Sequence, residues 1–388
     1  MQQWTRVYAA DYTAQSVGAG SIGSLLLDRN SNAGAENDGS TNLFLVDVVG
    51  PNVARIAKIG ANTGVRVEDG LVNIWPTRTL TSGLLLAGSG DTMTAIAGID
   101  GTMNGYRVQV TSGGFGVGYA PTPAAGLYSY AVYAKQGSAG GAGVAVCYAN
   151  AANPVPNNAE AFVVGNPLPA SWTRYTASLQ HNAGNGGTDY IALRVQHAGN
   201  TSSFTPLAGL VAGARDAAID GVQMNLGAPG SYTPGTRLGE HFYLPAGTIT
   251  HGKLRINCTW VANLSHATMT TFGMGNRTLW HVSDIDYAEI NLTSRRLRIV
   301  TGGTVVGAAI QIPAWVTGDK IEFRDIVCGG ALKPSGTLWV NGVMVGNLFD
   351  GTEPNMPPIV GENAAIDLLN NAGSRTLEGL CQSLTVDV

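Results

Sequence analysis

Apolar residues recur at every second position along much of the chain, which is the spacing of a half-buried β-strand. The segment YIALRVQH (190–197) places Ile191, Leu193 and Val195 on one face. The segment RRLRIV (295–300) repeats this alternation, and helical spacing is scarce throughout. The pattern therefore predicts an all-β protein.

The segment TLWVNGVMVG (337–346) is marked as a hairpin by its turn. Asn341 and Gly342 separate two alternating runs, and this residue pair readily adopts the two positive φ angles of a type I′ turn. Elsewhere, short strand-like runs are separated by clusters of Gly, Asn and Pro. This organisation favours antiparallel β-sandwiches over alternating strands and helices.

Changes in patterning divide the chain into three parts. Residues 1–63 are polar, rich in glycine and weakly patterned. This composition predicts an N-terminal arm that needs a partner to become fully ordered. Strand signals are dense in residues 64–237 and begin anew in residues 238–388. Pro234 and Gly235 form the predicted hinge between the two series. We therefore expect two tandem β-sandwiches preceded by an N-terminal arm.

The chain carries few charges, since 12% of its 388 residues are charged and 53 are glycine. The charged share is about half of what soluble proteins usually have, so small polar residues or other chains are expected to cover the surface. A net charge of −4 without a basic cluster argues against a nucleic-acid partner. Neither an apolar run of roughly 20 residues nor a signal-peptide pattern occurs, so we expect a soluble chain without membrane insertion or standard export.

The four cysteines lie far apart in the sequence. Cys147, Cys258 and Cys328 fall in or at the end of strand-like runs, and they are predicted to be small buried hydrophobic residues. The histidines show no zinc-binding spacing.

Three segments near the N-terminus resemble a recurring pattern of bacteriophage virion proteins. They are LLLDRNSNAGAENDG (25–39), NVARIAKIG (52–60) and GVRVEDGLVNI (64–74). The resemblance implies a component of the virion surface, usually associated with the tail or a fibre. It also implies that the arm docks onto other virion proteins, in a virion that is assembled in the host cytoplasm.

Later segments resemble glycan-binding modules. YSYAVYAKQGS (128–138), SWTRYTASL (171–179) and DGVQMNLGAPGSYTPGTR (220–237) are similar to the jelly roll of family-four-type carbohydrate-binding modules. YAEINLTSRRLRIV (287–300) and GTLWVNGVMVG (336–346) are similar to concanavalin A-like or laminin-G-like sandwiches. The resemblance implies contact with host-surface polysaccharide, and phage fibres of this kind are usually homo-oligomers, with a trimer as the expected form. A decoration or scaffolding block without a receptor role, and a polysaccharide depolymerase, are the alternatives.

The depolymerase alternative depends on the acidic segment HVSDIDYAEINL (281–292). Asp284, Asp286 and Glu289 match the spacing of the catalytic strand in concanavalin A-like glycosidases, which reads Glu-x-Asp-x-x-Glu. Asp284 occupies the nucleophile's place with a side chain one methylene shorter, and such a displacement is costly to catalysis. We therefore expect a non-enzymatic protein in which these residues form a surface carboxylate cluster that binds no ligand, with cation or sugar binding as a further alternative.

Sugar-binding candidates are aromatic and polar residues that alternation turns away from the core. Tyr190, Arg194 and Gln196 share the polar face of one predicted strand. A tyrosine ring packs against the apolar face of a sugar while the polar groups bond its hydroxyls. Trp280 and Trp339 are candidates in the C-terminal part, although large aromatic residues are more often buried than functional.

Asp28, Asn30 and Asn32 repeat the first three oxygen ligands of a calcium loop. The match ends there, because Ala33 stands at the required glycine position and Gly39 stands where the bidentate glutamate belongs. An Asx-rich turn is the preferred interpretation. No cofactor is expected, with calcium as the open alternative.

Overall fold

The computed structural model describes most of the chain. The described residues are 4–15, 18–28, 33–37, 44–49, 52, 54–74, 92–111, 115–119, 125–150, 160–164, 168–181, 189–196, 215–230, 236–237, 239–361, 364–371 and 375–388. In parts of these ranges the backbone alone is described. The fold is nearly all β, and antiparallel pairing predominates, with one parallel contact described between Asn37 and Lys58. The prediction of an all-β protein is confirmed.

The strands are numbered β1 to β29 in chain order. The first eight are β1 (Arg6–Asp11), β2 (Gly18–Gly20), β3 (Leu26–Asp28), β4 (Ala33–Asn37), β5 (Phe44–Val49), β6 (Ala54–Ile59), β7 (Asn62–Val67) and β8 (Leu71–Val72). The next nine are β9 (Thr92–Ile96), β10 (Gly105–Val110), β11 (Phe115–Tyr119), β12 (Gly126–Gln136), β13 (Gly143–Asn150), β14 (Glu160–Val164), β15 (Thr173–His181), β16 (Asp189–Gln196) and β17 (Arg215–Leu226). The last twelve are β18 (Thr236–Arg237), β19 (His241–Leu244), β20 (Lys253–Ala262), β21 (Arg277–Ser283), β22 (Asp286–Asn291), β23 (Arg296–Thr301), β24 (Thr304–Gly307), β25 (Lys320–Gly329), β26 (Ser335–Val340), β27 (Val343–Asn347), β28 (Ile366–Leu368) and β29 (Gly379–Asp387). A short helix, α1 (His266–Thr271), begins after Ser265, whose hydroxyl accepts a hydrogen bond from the Thr268 amide.

The chain forms two compact units. The discontinuous unit contains Met1–Ser40, Val46–Leu71 and Thr236–Val388, and the inserted unit contains Thr41–Leu45 and Val72–Gly235. The predicted order of an arm followed by two tandem sandwiches is therefore wrong in its connectivity. The N-terminal residues complete the C-terminal unit, and the other unit is inserted between them.

The reason lies in the pairing of β29, the last strand. One edge of β29 pairs with β20, and the other edge pairs with β7 at Gly379–Cys381 and with β1 at Ser383–Asp387. Arg6 secures this pairing through a 2.7 Å ion pair with Asp387. Segments near both ends of the sequence thus share hydrogen bonds in one sheet. This long-range pairing leaves no mark in the local pattern of residues 1–63.

Within the described residues, the discontinuous unit holds an eleven-stranded sheet and a seven-stranded sheet. The larger has the order β27-β26-β25-β20-β29-β7-β6-β4-β5, with β1 beside β29 and β2 beside β6. The smaller has the order β24-β23-β22-β21-β28-β19-β3. Strand β3 lies in the smaller sheet, so the N-terminal segment contributes strands to both sheets.

Buried charges also tie the N-terminal strands to the later part of the discontinuous unit. Arg55 contacts Glu68 at 2.9 Å and Glu240 at 2.7 Å, and all three side chains are fully buried or nearly so. The second Glu240 oxygen accepts a hydrogen bond from the Glu68 amide at 2.9 Å. Breaking such a buried pair by removing one partner is costly, because the other charge is left buried without compensation.

In the inserted unit, a five-stranded sheet with the order β15-β12-β17-β10-β9 accompanies a four-stranded sheet with the order β11-β16-β13-β14. One hydrophobic core joins them, since Val132 and Ile219 from the first sheet cluster with Val144 and Val195 from the second. Side chains of both sheets therefore meet in a single layer, as in a β-sandwich.

The predicted hairpin is confirmed. Strands β26 and β27 pair through Val340 and Val343, and the intervening Asn341 and Gly342 have φ angles of 50° and 79°. Both angles are positive, as a type I′ turn requires.

Candidate functional site

One face of the seven-stranded sheet is buried on four of its strands, β19, β28, β21 and β22. Phe242, Leu368, Trp280 and Ala288 lie directly opposite one another on β19, β28, β21 and β22, and each is at most 1% exposed. Trp280 was a ligand-binding candidate in the sequence. The structure places it in this core, where it has no access to a ligand.

The other face carries a polar row on the same four strands. Tyr243 is opposite Asp367, Asp367 is opposite His281, and His281 is opposite Tyr287. Residues directly opposite in antiparallel strands share a face of the sheet. All four are half-buried, in contrast to the buried residues opposite one another on the other face. We call Tyr243, Asp367, His281 and Tyr287 the cross-strand row.

A cleft of about 170 Å³ opens at one end of this row. Its lining is almost entirely polar: Asn276, Thr278, His281, Asp284, Tyr287, Glu289, Arg298, Asn371 and Arg375. Drug-sized ligands need a pocket of roughly 300 Å³ or more. The cleft is therefore suited to one small polar group, held by amide, guanidinium and carboxylate side chains beside an aromatic ring.

Glu289 and Arg298 form the charged centre of the cleft. Arg298 donates a short hydrogen bond to Glu289, and Asn276 donates to the same oxygen at 2.7 Å. Arg298 also donates to the Tyr287 hydroxyl at 2.8 Å, and its guanidinium carbon lies 5.5 Å from the centre of the Tyr287 ring. These contacts fix the tyrosine ring and the guanidinium relative to each other, which prearranges the cleft for binding.

Asp286 lies on the opposite face of β22 from Glu289 and is fully buried. It accepts hydrogen bonds from the Ser283 hydroxyl at 3.1 Å, the Gly302 amide at 2.8 Å and the Val360 amide at 3.2 Å. Three donors therefore occupy this carboxylate. Its role is to join the turn before β22 to two loops.

The three acidic residues of the sequence motif do not converge. Asp284 is fully exposed in the turn before β22 and lies 4.0 Å from His281. Asp286 faces the interior, and Glu289 faces the cleft, because positions three apart on a strand point to opposite sides. A bulge that would bring all three carboxylates into one cleft is not present within β22 itself.

Asp367 lies between two histidines. Its Oδ1 is 2.7 Å from His241 Nε2, and its Oδ2 is 3.6 Å from His281 Nδ1. The carboxylate thereby hydrogen-bonds the His241 ring and lies within ion-pair distance of the His281 ring. His241 in turn stacks on Tyr243 with ring centres 4.8 Å apart.

Trp339 lies outside the cleft, on β26 of the larger sheet. Its ring is half-buried beneath Arg324, whose guanidinium carbon is 4.0 Å from the ring centre. Arg324 also pairs with Glu322 at 2.7 Å. This arrangement of Arg, Glu and an aromatic ring resembles that of Arg298, Glu289 and Tyr287.

The remaining sequence candidates are only partly described. Tyr190, Arg194 and Gln196 belong to β16, where Arg194 and Gln196 flank the buried Val195. Their side chains lie outside the described part of the structure, so their role in sugar binding stays a prediction.

Of the three candidate metal ligands, only the backbone of Asp28 lies within the described residues. Asp28 is the last residue of β3, described in its backbone, and Asn30 and Asn32 lie outside the described residues. Elsewhere in the described part of the chain, no cluster of three or more His, Cys, Asp or Glu residues has a geometry that holds a metal ion. Cys258 and Cys328 are buried free thiols, as predicted, and burial raises the pKa of Cys328.

Sequence patterning missed most of the cleft, since Asn276, Thr278, Asn371 and Arg375 come from separate segments. Arg277, which lies between Asn276 and Thr278, donates to Asp69 at 2.7 Å. The other Asp69 oxygen accepts from the Thr376 amide at 2.8 Å. The alternation of apolar and polar residues in HFYL (241–244) and IDL (366–368) could have predicted that Tyr243 and Asp367 lie on the polar face of the sheet.

No protein-family model matches the chain, and no curated protein matches it either. In the described part of the chain, no helix has the length and apolar character needed to cross a membrane.

Proposed function

We propose that this chain is a structural protein of a bacteriophage virion surface, associated with the tail or a fibre, and that it contacts host-surface glycans through the cleft at Tyr287. The setting rests on the resemblance of the N-terminal segments to virion proteins. The contact rests on one observation, the polar cleft in which Arg298 fixes the Tyr287 ring. The protein is assembled into virions in the host cytoplasm.

The finer fold assignment belongs to the same proposal. The inserted unit is a jelly roll of the carbohydrate-binding-module type, for which the five-stranded and four-stranded sheets around one core are the support. The discontinuous unit is a concanavalin A-like or laminin-G-like sandwich. Docking through residues 1–63 and assembly into a homo-oligomer, with a trimer as the expected form, stay predictions from the resemblance.

The chemistry of the cleft supports a sugar ligand. A pyranose has an apolar face that packs on an aromatic ring and a rim of hydroxyls that both donate and accept hydrogen bonds. Tyr287 supplies the ring, Arg298 and Asn276 supply donors, and Glu289 supplies an acceptor. Asn371 and Arg375 add polar groups at the rim.

The test is binding of the labelled 388-residue chain to a panel of intact bacteria, before and after removal of surface polysaccharide. Saturable binding that disappears on stripping is expected for at least one strain. Tyr287→Ala should weaken it about tenfold or more, which corresponds to roughly 1.4 kcal/mol. Trp339→Ala is the matched control, because it removes an aromatic ring beneath an arginine outside the cleft, and it should leave binding unchanged.

A loss of binding in Trp339→Ala, with Tyr287→Ala unaffected, would move the contact to the larger sheet. Loss on substitution of Tyr190 and Arg194 would move it to β16. Binding to no strain by the assembled protein would favour the decoration or scaffolding alternative. That alternative has its own support in the three consecutive exposed apolar residues of edge strand β27, Val343, Met344 and Val345.

A depolymerase is the weaker alternative. It requires Asp284 and Glu289 to act on a sugar held in the cleft, while Asp286 is occupied by three donors. Polysaccharide cleavage that is abolished by Asp284→Asn and Glu289→Gln would establish it. We expect no cleavage from the parent chain.

A further inference from the structure

We infer that Tyr243 and His241 form a second sugar subsite beside the cleft, so that the ligand is a stretch of several sugars of a polysaccharide and not a single sugar. This inference rests on the proposed function. It adds a site that shares no lining residue with the cleft.

The first observation is the direction of the cross-strand row. Tyr243, Asp367, His281 and Tyr287 occupy directly opposite positions on β19, β28, β21 and β22. Adjacent strands lie about 4.8 Å apart, so the three spacings from Tyr243 to Tyr287 cover roughly 14 Å. The cleft accounts for only the His281 and Tyr287 end of that distance.

The second observation is that the far end of the cross-strand row repeats the pair of a tyrosine and a histidine found at the cleft. His241 and Tyr243 are half-buried and stack with ring planes inclined by 29°. At the near end, His281 and Tyr287 have ring centres 6.4 Å apart and planes inclined by 31°. Each end therefore presents a tyrosine beside a histidine, and Asp367 contacts both histidines between them.

The third observation is the apolar neighbour of Tyr243. Leu26 on β3 lies directly opposite Tyr243 and is 42% exposed. An exposed leucine beside a half-buried tyrosine widens the apolar surface on which the flat side of a sugar ring packs. Burial of this patch by a second sugar contributes affinity that a single sugar in the cleft does not have.

The probe is surface polysaccharide released from a strain that binds the protein, cut by mild acid into size fractions. Affinity is measured by calorimetry for single sugars, short oligosaccharides and fractions of four to six sugars. The longest fractions should bind about tenfold more tightly than the shortest, a gain of roughly 1.4 kcal/mol. Tyr243→Ala should remove this gain and leave the shortest fractions within about twofold of the parent.

Tyr243→Phe is the control that keeps the ring, and it should retain the dependence on length. His241→Ala provides a second variant should Tyr243→Ala fail to fold, since it removes the other member of the stacked pair. Equal affinity for short and long fractions, with binding still lost in Tyr287→Ala, would overturn the second subsite and leave the proposed function standing. Absence of polysaccharide-dependent binding to every strain would overturn the proposed function, and the second subsite with it.

Discussion

Asp69 and Arg277, 208 positions apart in the sequence, form a 2.7 Å ion pair beneath the cleft. Arg277 lies between the lining residues Asn276 and Thr278, and the same aspartate accepts from the amide that follows Arg375. One carboxylate from the N-terminal part therefore anchors two sides of the site. Its position on another segment makes the cleft dependent on the assembly of the whole discontinuous unit.

Asp69→Asn should destabilise the protein by about 1–3 kcal/mol. Loss of one partner from a fully buried pair costs about 3–5 kcal/mol, and the 28% exposure of the Asp69 side chain reduces that figure through solvent screening. Urea unfolding gives the measurement, with Asp284→Asn as the exposed control, expected within about 0.5 kcal/mol of the parent. Equal midpoints for the two variants would contradict this account.

Glu378→Gln should change the dependence of stability on pH. Burial raises the pKa of Glu378 well above its ordinary value of 4.5, and the nearby Asp69 and Glu68 raise it further, while Arg277 opposes them. A raised carboxyl pKa contributes stability that is fully present below the unfolded pKa and is lost as pH rises through the folded pKa.

The variant removes this titration and retains an oxygen that accepts from the Asp69 amide and the Thr376 hydroxyl, as Glu378 does at 2.7 and 3.1 Å. We expect the free energy of unfolding to exceed that of the parent by about 1 kcal/mol at pH 8, with the difference shrinking towards pH 4. Parallel stability curves for the two proteins between these pH values would refute the prediction.

Asp286→Asn tests whether this carboxylate is structural. Hydrogen bonds to a charged acceptor contribute about 1.5–3 kcal/mol each, and an asparagine presents an NH₂ group to one of three donors. We expect a loss of about 2–4 kcal/mol in urea unfolding. Glycan affinity of the folded fraction should be unchanged, since Asp286 faces away from the cleft. A variant as stable as the parent would mean that the three donors find other acceptors.

Trp280→Ala should destabilise the protein more than Trp339→Ala does, because only the Trp280 ring is fully buried. Removing the fully buried Trp280 ring should cost about 3–5 kcal/mol. The half-buried Trp339 loses its contact with Arg324, which is worth about 1 kcal/mol at a partly exposed site. Thermal unfolding of both variants is the measurement, and equal losses would show that the indole of Trp280 is less tightly packed than its burial indicates.

Local patterning predicted what depends on local structure. The alternation in residues 295–300 placed Leu297 and Ile299 in the core, and both are fully buried. The turn at Asn341 and Gly342 followed from the φ angles that these residues tolerate. These features need no information from distant parts of the chain.

Pairing between segments far apart in the sequence could not be predicted from local patterning. Residues 1–63 are weakly patterned, yet β1 pairs directly with β29, and β6 joins the same sheet through β7, which pairs with β29. No local periodicity reveals these pairings. The cleft was missed for a related reason. Arg375 and Asn371 reach it from a segment far from β22, and single residues without a motif carry no signal until the strands are paired.

The pairing of β29 with β7 also sets the order of events during synthesis. Val67 pairs with Gly379, so β7 emerges from the ribosome long before its partner is made. At about 5–20 residues per second, the intervening residues take roughly 15–60 s to translate. The inserted unit can fold within that interval. The apolar residues of β6 and β7 remain unpaired with β29 until it has been synthesised. Exposure to chaperones and to aggregation is therefore greatest for the N-terminal strands, and it ends when β29 becomes available for pairing.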